Sequence, residues 1–423
     1  MARLLARTAA VVVPLGGDPE RRLVRAQAFL SPLPWWLRGL FGVTLLAVWA
    51  LATLARRGQP SRDAAVARWV ETFMASRVHA AHLLGQLVKF ASCLVVLGDP
   101  QVRRSLYAAR RLTLPSQVES VRAPLLAGRP LNGSRVTDSA DFIVVGSGPA
   151  GATVARTLAK AGRDVVLLEE GPAAPAAWAA QDTIENLHAR FRGMGTVTST
   201  GPERIPVLQG CCVGGSSVVN SAIAWRAPEG VFGAWHADPG IAEHLPLARL
   251  DRAYTEVEAG IGIETTREAV FGATNERMAA GARAKGTPGQ PTDRYTRDCE
   301  GLGRCMEGCP LGRKLSMNAT FVPEAVAAGA RLYSDCKVEQ IEFEGTRVVG
   351  VRARTSRGVT RFAARRAVVV AASAVQTPIL LRASGIDHAQ LGRRFQAHPG
   401  GSMAALFAEP VRKVLGATQG YEV

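Results

Sequence analysis

Residues 139–171 read SADFIVVGSGPAGATVARTLAKAGRDVVLLEEG. Asp141-Phe142-Ile143-Val144-Val145 is a short apolar strand. Gly146-Ser147-Gly148-Pro149-Ala150-Gly151 is a glycine-rich turn, and Ala152 to Ala161 continues as an alanine-rich helix. Val165-Val166-Leu167-Leu168 is a second strand, closed by Glu169. The order has a physical logic. Gly146 permits the tight turn, Gly148 lets the backbone approach a pyrophosphate, and Gly151 lets helix and strand pack closely. The helix N-terminus favours the anion. Glu169 stands 23 residues after Gly146, where an acid holds a ribose hydroxyl. The stretch therefore predicts a dinucleotide-binding βαβ unit.

The turn alone does not choose the dinucleotide. Residues 209–226 read QGCCVGGSSVVNSAIAWR. Gly214 and Gly215 allow backbone amides to approach a flavin or its phosphates, and Ser216, Ser217 and Asn220 supply short hydrogen-bonding groups. Gly210 to Asn220 resembles the first signature of the GMC (glucose–methanol–choline) FAD oxidoreductases. Residues 373–386, SAVQTPILLRASGI, resemble that family's second signature, with Asp387 where the family usually has glycine. The resemblance implies FAD as cofactor. It also implies noncovalent FAD, because Val219 stands where some members carry the linking histidine. Val338 fits the family position whose backbone meets the adenine.

The implied fold class is α/β: a doubly wound, Rossmann-like FAD-binding domain with an inserted substrate-cap domain and an α-helical N-terminal region. The expected division is a helical region at 1–138, a first FAD-domain part at 139–232, a cap insert with a cysteine loop at 233–320, a second FAD-domain part at 321–395, and a further cap segment beginning at 396–423. Pro124, Gly128, Pro130 and Gly133 mark 121–138 as the linker into the FAD domain.

The N-terminal region resembles, in pattern only, the helical preface of long-chain alcohol oxidases. Gly39 to Ala55 is 17 residues without a charge, preceded by Trp35-Trp36 and followed by Arg56-Arg57. As a helix it spans about 25 Å, slightly short of a hydrocarbon core. It reads either as a membrane anchor, inserted or in-plane, or as a buried helix. Ala80 to Gly98 carries His82, Gln86 and Lys89 and reads as an amphipathic helix with a structural histidine. No secretory signal follows Met1: the apolar run Ala9 to Leu15 is short and interrupted by Pro14. The expected location is membrane-associated, otherwise cytoplasmic.

The net charge is +16, with 6 lysines against 45 arginines. That is either a compositional bias or attraction to an anionic membrane surface. The basic residues are scattered and no zinc-finger or RNP-type motif is present, so nucleic acid is not an expected partner.

The seven cysteines are an odd number, which favours a reducing compartment or metal chemistry over a full disulfide set. Cys299, Cys305 and Cys309 lie in CEGLGRCMEGCPLGRK. Three thiolates on one glycine-rich loop suit an iron–sulfur cluster. The spacing resembles cluster-bearing FAD sugar dehydrogenases, in which three such cysteines hold a [3Fe–4S] centre. A loop without metal, or with a disulfide, is the alternative. Cys211 and Cys212 read as packing residues.

The family resemblance implies an oxidoreductase acting on an alcohol. A histidine accepts the hydroxyl proton and the hydride moves to flavin N5. Electrons then leave to O2, or to a membrane quinone or cytochrome. The family's catalytic histidine lies in a C-terminal segment, so a fragment lacking it is expected here, with the catalytic residues unassigned. His398, in a His-Pro turn, reads as structural. Two other classes stay open: a nucleotide-binding fragment or subunit without catalysis of its own, and an NAD(P)-linked reductase, against which the second glycine motif argues.

Overall fold

The computed structural model describes residues 1–13, 18–31, 33, 35–55, 59–76, 78–97, 99, 101–102, 136–173, 183–200, 205–396, 405, 407, 409, 411 and 415–423. Residues 121–135 of the expected linker, Arg56-Arg57 and His398-Pro399-Gly400-Gly401 lie outside them. The chain forms two compact units: Met1–Ser116 with Gln181–Leu187, and Gln117–Ala180 with His188–Val423.

The first unit contains helices α1 (Ala2–Val12), α2 (Pro19–Leu30), α3 (Trp35–Leu54), α4 (Arg62–Met74) and α5 (His79–Leu97). Local chemistry sets two of their starts. The Asp18 carboxylate accepts from the Glu20 amide ahead of Pro19, and Ser61 Oγ accepts from the Ala64 amide. The long helix begins at Trp35 rather than Gly39, so both tryptophans and Arg38 lie within it. One face of α3 is buried through Phe41, Leu45, Val48 and Trp49. Trp49 Nε1 donates to Thr8 Oγ1 at 2.9 Å, which satisfies the indole inside the bundle. The amphipathic helix expected at Ala80 to Gly98 is α5. His82 is structural there: its Nδ1 donates to Met74 O at 2.6 Å and its Nε2 accepts from Gln86 at 2.8 Å.

Among the described residues the second unit holds ten strands: β1 (Val136–Val145), β2 (Val165–Leu168), β3 (Glu264–Thr265), β4 (Gln290–Pro291), β5 (Asp293–Arg294), β6 (Arg331–Tyr333), β7 (Lys337–Glu344), β8 (Arg347–Thr355), β9 (Gly358–Val370) and β10 (Tyr421–Glu422). Six make one sheet in the order β6-β2-β1-β9-β8-β7. The pairs β6/β2, β2/β1 and β1/β9 are parallel; β9/β8 and β8/β7 are antiparallel. Strand β1 is longer than its apolar core predicts, because the 13-residue β9 offers it partners back to Val136↔Arg361.

Both faces of this sheet are buried, and the period of two is visible in the residues. Ile143, Val145, Val166 and Leu168 join one core with Ile341, Val351 and Phe362. Val144, Val165 and Leu167 join the opposite core with Ala152, Ala155, Phe321 and Val322. The helix Pro149–Lys160 and the helix Phe321–Ala327 cover that second face, and Arg156 stacks 4.3 Å over Phe321 while bonding Glu324 at 2.6 Å. On the first face Leu380, from the helix Ser373–Ala383, packs into the core. This is the doubly wound α/β arrangement read from the sequence. Two small ribbons, β3/β5 and β4/β10, lie outside the main sheet.

Candidate functional site

A cavity of about 1510 Å³ opens at the carboxyl ends of β1, β2 and β9, where Val145, Leu168 and Ala371 reach it. Ligands bind at such strand ends in open α/β sheets. The volume exceeds the usual range for small-ligand pockets, as an extended dinucleotide requires. Of the residues singled out in the sequence, Gly146, Gly148, Pro149, Ala150, Glu169, Gly215, Ser216 and Val338 line it. Ser147, Gly151, Gly214, Ser217 and Asn220 do not.

The walls are built on backbone contact. Gly146 has φ +97°, and a side chain there would meet Ala371 O at 2.4 Å. A Cβ on Gly215 would lie 2.8 Å from Gly148 Cα, so the two glycine motifs touch directly. Ser147 fastens them. Its Oγ donates to Glu169 Oε2 at 2.6 Å and accepts from the Gly214 amide at 3.0 Å. Glu169 also accepts from the Ser147 amide at 2.9 Å and the Gly171 amide at 3.0 Å. Burial raises the Glu169 carboxyl above the usual range, against these donors.

Ser217 and Asn220 serve the loop instead of the cavity. Ser217 Oγ donates to Gly214 O at 2.7 Å and accepts from the Met317 amide at 3.1 Å. Asn220 Oδ1 accepts from the Ala222 amide at 3.0 Å and from the Tyr295 hydroxyl. Val219 is buried in the same loop. Cys212 is fully buried, and burial pushes its thiol up to about 12 and that of Cys211 to about 11. Raised thiols of this kind suit packing residues.

The cysteine loop differs from its expected role. Among the described residues no group of three or more His, Cys, Asp or Glu is placed to hold a metal, so nothing here supports a cluster at Cys299, Cys305 and Cys309. The physical reason lies at Cys305. Its Sγ accepts from Arg294 Nη2 at 2.8 Å inside the protein. Burial pushes this thiol up, but Arg294 and Lys314 outweigh it, and the net shift is downward.

Lys314, which sequence reasoning missed, is the centre of this region. It is buried, and its Nζ donates to Val218 O at 2.9 Å, Asn220 O at 2.6 Å and Cys305 O at 3.0 Å. It pins the end of the second glycine motif to the cysteine loop. A sequence signal existed: a lysine at this point in a chain with 45 arginines and 6 lysines.

Ser373 was also missed as an individual residue. It lines the cavity with φ +82°, a backbone region that favours glycine. Its Oγ accepts from Gln209 Nε2 at 2.9 Å, joining the two signature segments across the cavity wall. We expect Ser373→Gly to stabilise the protein by about 1 kcal/mol by relieving that strain. Thermal unfolding checks this; a lower midpoint would show that the Gln209 bond outweighs the strain.

Residues 140–400 match the GMC oxidoreductase family. The chain belongs to the GMC oxidoreductases. This GMC chain is 36% identical over 278 residues to an uncharacterised GMC-type oxidoreductase of Mycobacterium tuberculosis, covering 64% of the chain and 43% of that protein. It is 34% identical over 276 residues to another of Sinorhizobium fredii, covering 64% and 54%. A long-chain-alcohol oxidase of Arabidopsis thaliana is 28% identical over 280 residues, covering 61% and 36%. The chain thus spans about half the length of these bacterial relatives.

Proposed function

We propose that this GMC chain holds FAD in the 1510 Å³ cavity and belongs to an enzyme that oxidises an alcohol. The observation that carries the reading is the direct contact of the two glycine motifs, closed by Ser147, at the carboxyl ends of the sheet. When bound, FAD would supply the hydride acceptor at N5, with electrons passing on to O2 or to a membrane acceptor. The chain's share is binding and orientation. Gly146, Gly148, Pro149 and Ala150 offer the helix N-terminus to the pyrophosphate. Glu169 offers a carboxylate to the ribose, Val338 its backbone to the adenine, and Gly215 and Ser216 a close approach towards the flavin. Ser147, Gly151, Gly214, Ser217 and Asn220 hold these groups in place.

The long-chain-alcohol oxidase relative supports an aliphatic alcohol as substrate class, and the apolar helix α3 supports association with a membrane. An electron exit through a cluster at Cys299, Cys305 and Cys309 is not part of this reading, because nothing among the described residues supports a cluster there. Among the described residues that line the cavity there is no histidine, so no general base is assigned. That observation favours, as a second reading, a flavin-binding unit whose chemistry depends on residues elsewhere in the protein.

The test is a spectrum followed by a titration. The purified protein is expected to carry an oxidised-flavin absorption spectrum and to bleach anaerobically on addition of a long-chain primary alcohol. A flavin that is bound but inert to every alcohol supports the second reading. A colourless protein that retains NAD(P) overturns both.

A further inference from the structure

Helix α3 is long and apolar enough to cross a membrane, at 20 residues and a mean hydropathy of 1.8. Its packing says otherwise. One face is inside the helical bundle, with Phe41, Leu45 and Val48 fully buried. Trp49 is bonded to Thr8, and the guanidinium groups of Arg7, at 4.3 Å, and Arg62, at 5.1 Å, stack on its ring. A spanning helix would either strip this face from α1 and α4, losing these contacts, or carry Arg7 and Arg62 into hydrocarbon with it. Each charge there costs several kcal/mol.

Among the described residues of this unit, nothing covers the other face. Trp36, Leu40, Val43, Leu46 and Leu54 are 46% to 84% exposed and recur at helical spacing along it. A Cβ on Gly39, on the same face, would meet nothing within 4 Å. Trp35, 79% exposed, sits at the start of the helix. The stripe runs for about 30 Å, the length of the helix. Tryptophan at such an edge suits the boundary between headgroups and acyl chains.

Charge identifies the partner. Residues 1–116 hold 16 basic and 5 acidic residues, a net +11 of the chain's +16. A strongly basic unit with one uncovered apolar stripe is complementary to an anionic lipid surface. A second copy of the same basic unit would instead repel.

We propose that α3 docks in the plane of an anionic phospholipid surface through Trp35, Trp36, Leu40, Val43, Leu46 and Leu54, while its opposite face stays in the bundle. This deepens the membrane association proposed above and does not depend on the flavin chemistry. The purified full chain is mixed with phosphatidylcholine vesicles with and without phosphatidylserine, and sedimented. Binding is expected to be at least about tenfold tighter with phosphatidylserine and to weaken as salt rises. Val43→Glu with Leu46→Glu is expected to abolish it while the flavin spectrum stays unchanged. In the unaltered protein, brominated lipid is expected to quench tryptophan fluorescence, a readout that needs no variant. Equal binding to neutral vesicles, no binding, or retention that only detergent releases would overturn the proposal. So would light scattering that shows the double variant converting a dimer to a monomer, which would assign the face to a second copy. Flavin content and alcohol bleaching, measured in the same preparations, separate failure of this docking from failure of the oxidoreductase reading.

Discussion

Gly151→Ala is expected to give a protein that retains no flavin and is destabilised by roughly 3 kcal/mol, the upper end of overpacking costs. The geometry leaves no room for relief. A Cβ at 151 would lie 1.8 Å from Gly146 O and 3.3 Å from Ala371 Cβ. The first obstacle is backbone, and it belongs to the turn that faces the cavity. The helix Pro149–Lys160 must then move away from β1 or the Gly146 turn must open. Either movement displaces the amides of Gly148 and Ala150 from the place a pyrophosphate needs. The measurements are flavin released on purification and the midpoint of urea unfolding. A variant that keeps its flavin at wild-type stoichiometry would show that this turn does not hold the cofactor.

The second large effect concerns Lys314, and its sign depends on pH. Burial depresses the Lys314 ammonium to about 7, against an ordinary 10.5. Between those values the unfolded chain binds more protons than the folded one, so this group makes stability rise with pH across about 7 to 10.5. The full rise is on the order of 5 kcal/mol, at about 1.4 kcal/mol per unit. Lys314→Met removes the titration but leaves the carbonyls of Val218, Asn220 and Cys305 without their donor, a cost of about 1 kcal/mol each. Near pH 7 the two effects oppose each other and variant and parent are expected to unfold within about 1–2 kcal/mol of one another. Near pH 10 the parent is expected to be the more stable by roughly 3 kcal/mol, the cost of the three lost bonds. Unfolding at both pH values checks this, with the difference between the proteins as the readout. A constant difference would mean that Lys314 is not depressed. The variant is also expected to lose flavin faster, because the end of the 210–220 motif is no longer tied down.

The parts of the site that were legible in the sequence are those where backbone geometry demands a particular residue. Gly146, Gly148 and Gly151 announce a turn because other residue types do not fit, and the apolar runs 141–145 and 165–168 announce buried strands. The sheet's two-sided burial follows from the same runs, which are apolar throughout rather than alternating. Side-chain bonds between distant segments were not legible. Ser147 meets Gly214 across 67 positions, and Lys314 meets Val218 across 96. Nothing in local pattern states those distances. The cysteine loop shows the same limit: spacing along the chain counts thiols, whereas a ligand set needs them aimed at one point. Arg294, in β5, turns Cys305 to another use. Helix α3 starts ahead of the charge-free run at Gly39, because a single long side chain such as Arg38 is tolerated within a helix where it reaches solvent.

The place of β9 in the sheet has a bearing on how the protein is made. Strand β1 lies at the centre, with β2 on one side and β9 on the other. Its partner β2 follows closely, but Val145 pairs with Val370, 225 residues later. At ordinary rates of translation that interval lasts on the order of 10–40 s. Through it the nascent chain presents an apolar strand with one edge unpaired, the kind of edge that recruits other strands. Non-local pairing of this sort also makes folding slow. Yield on expression should therefore respond to slower synthesis at low temperature and to holdase chaperones more strongly than the stability of the finished fold would suggest.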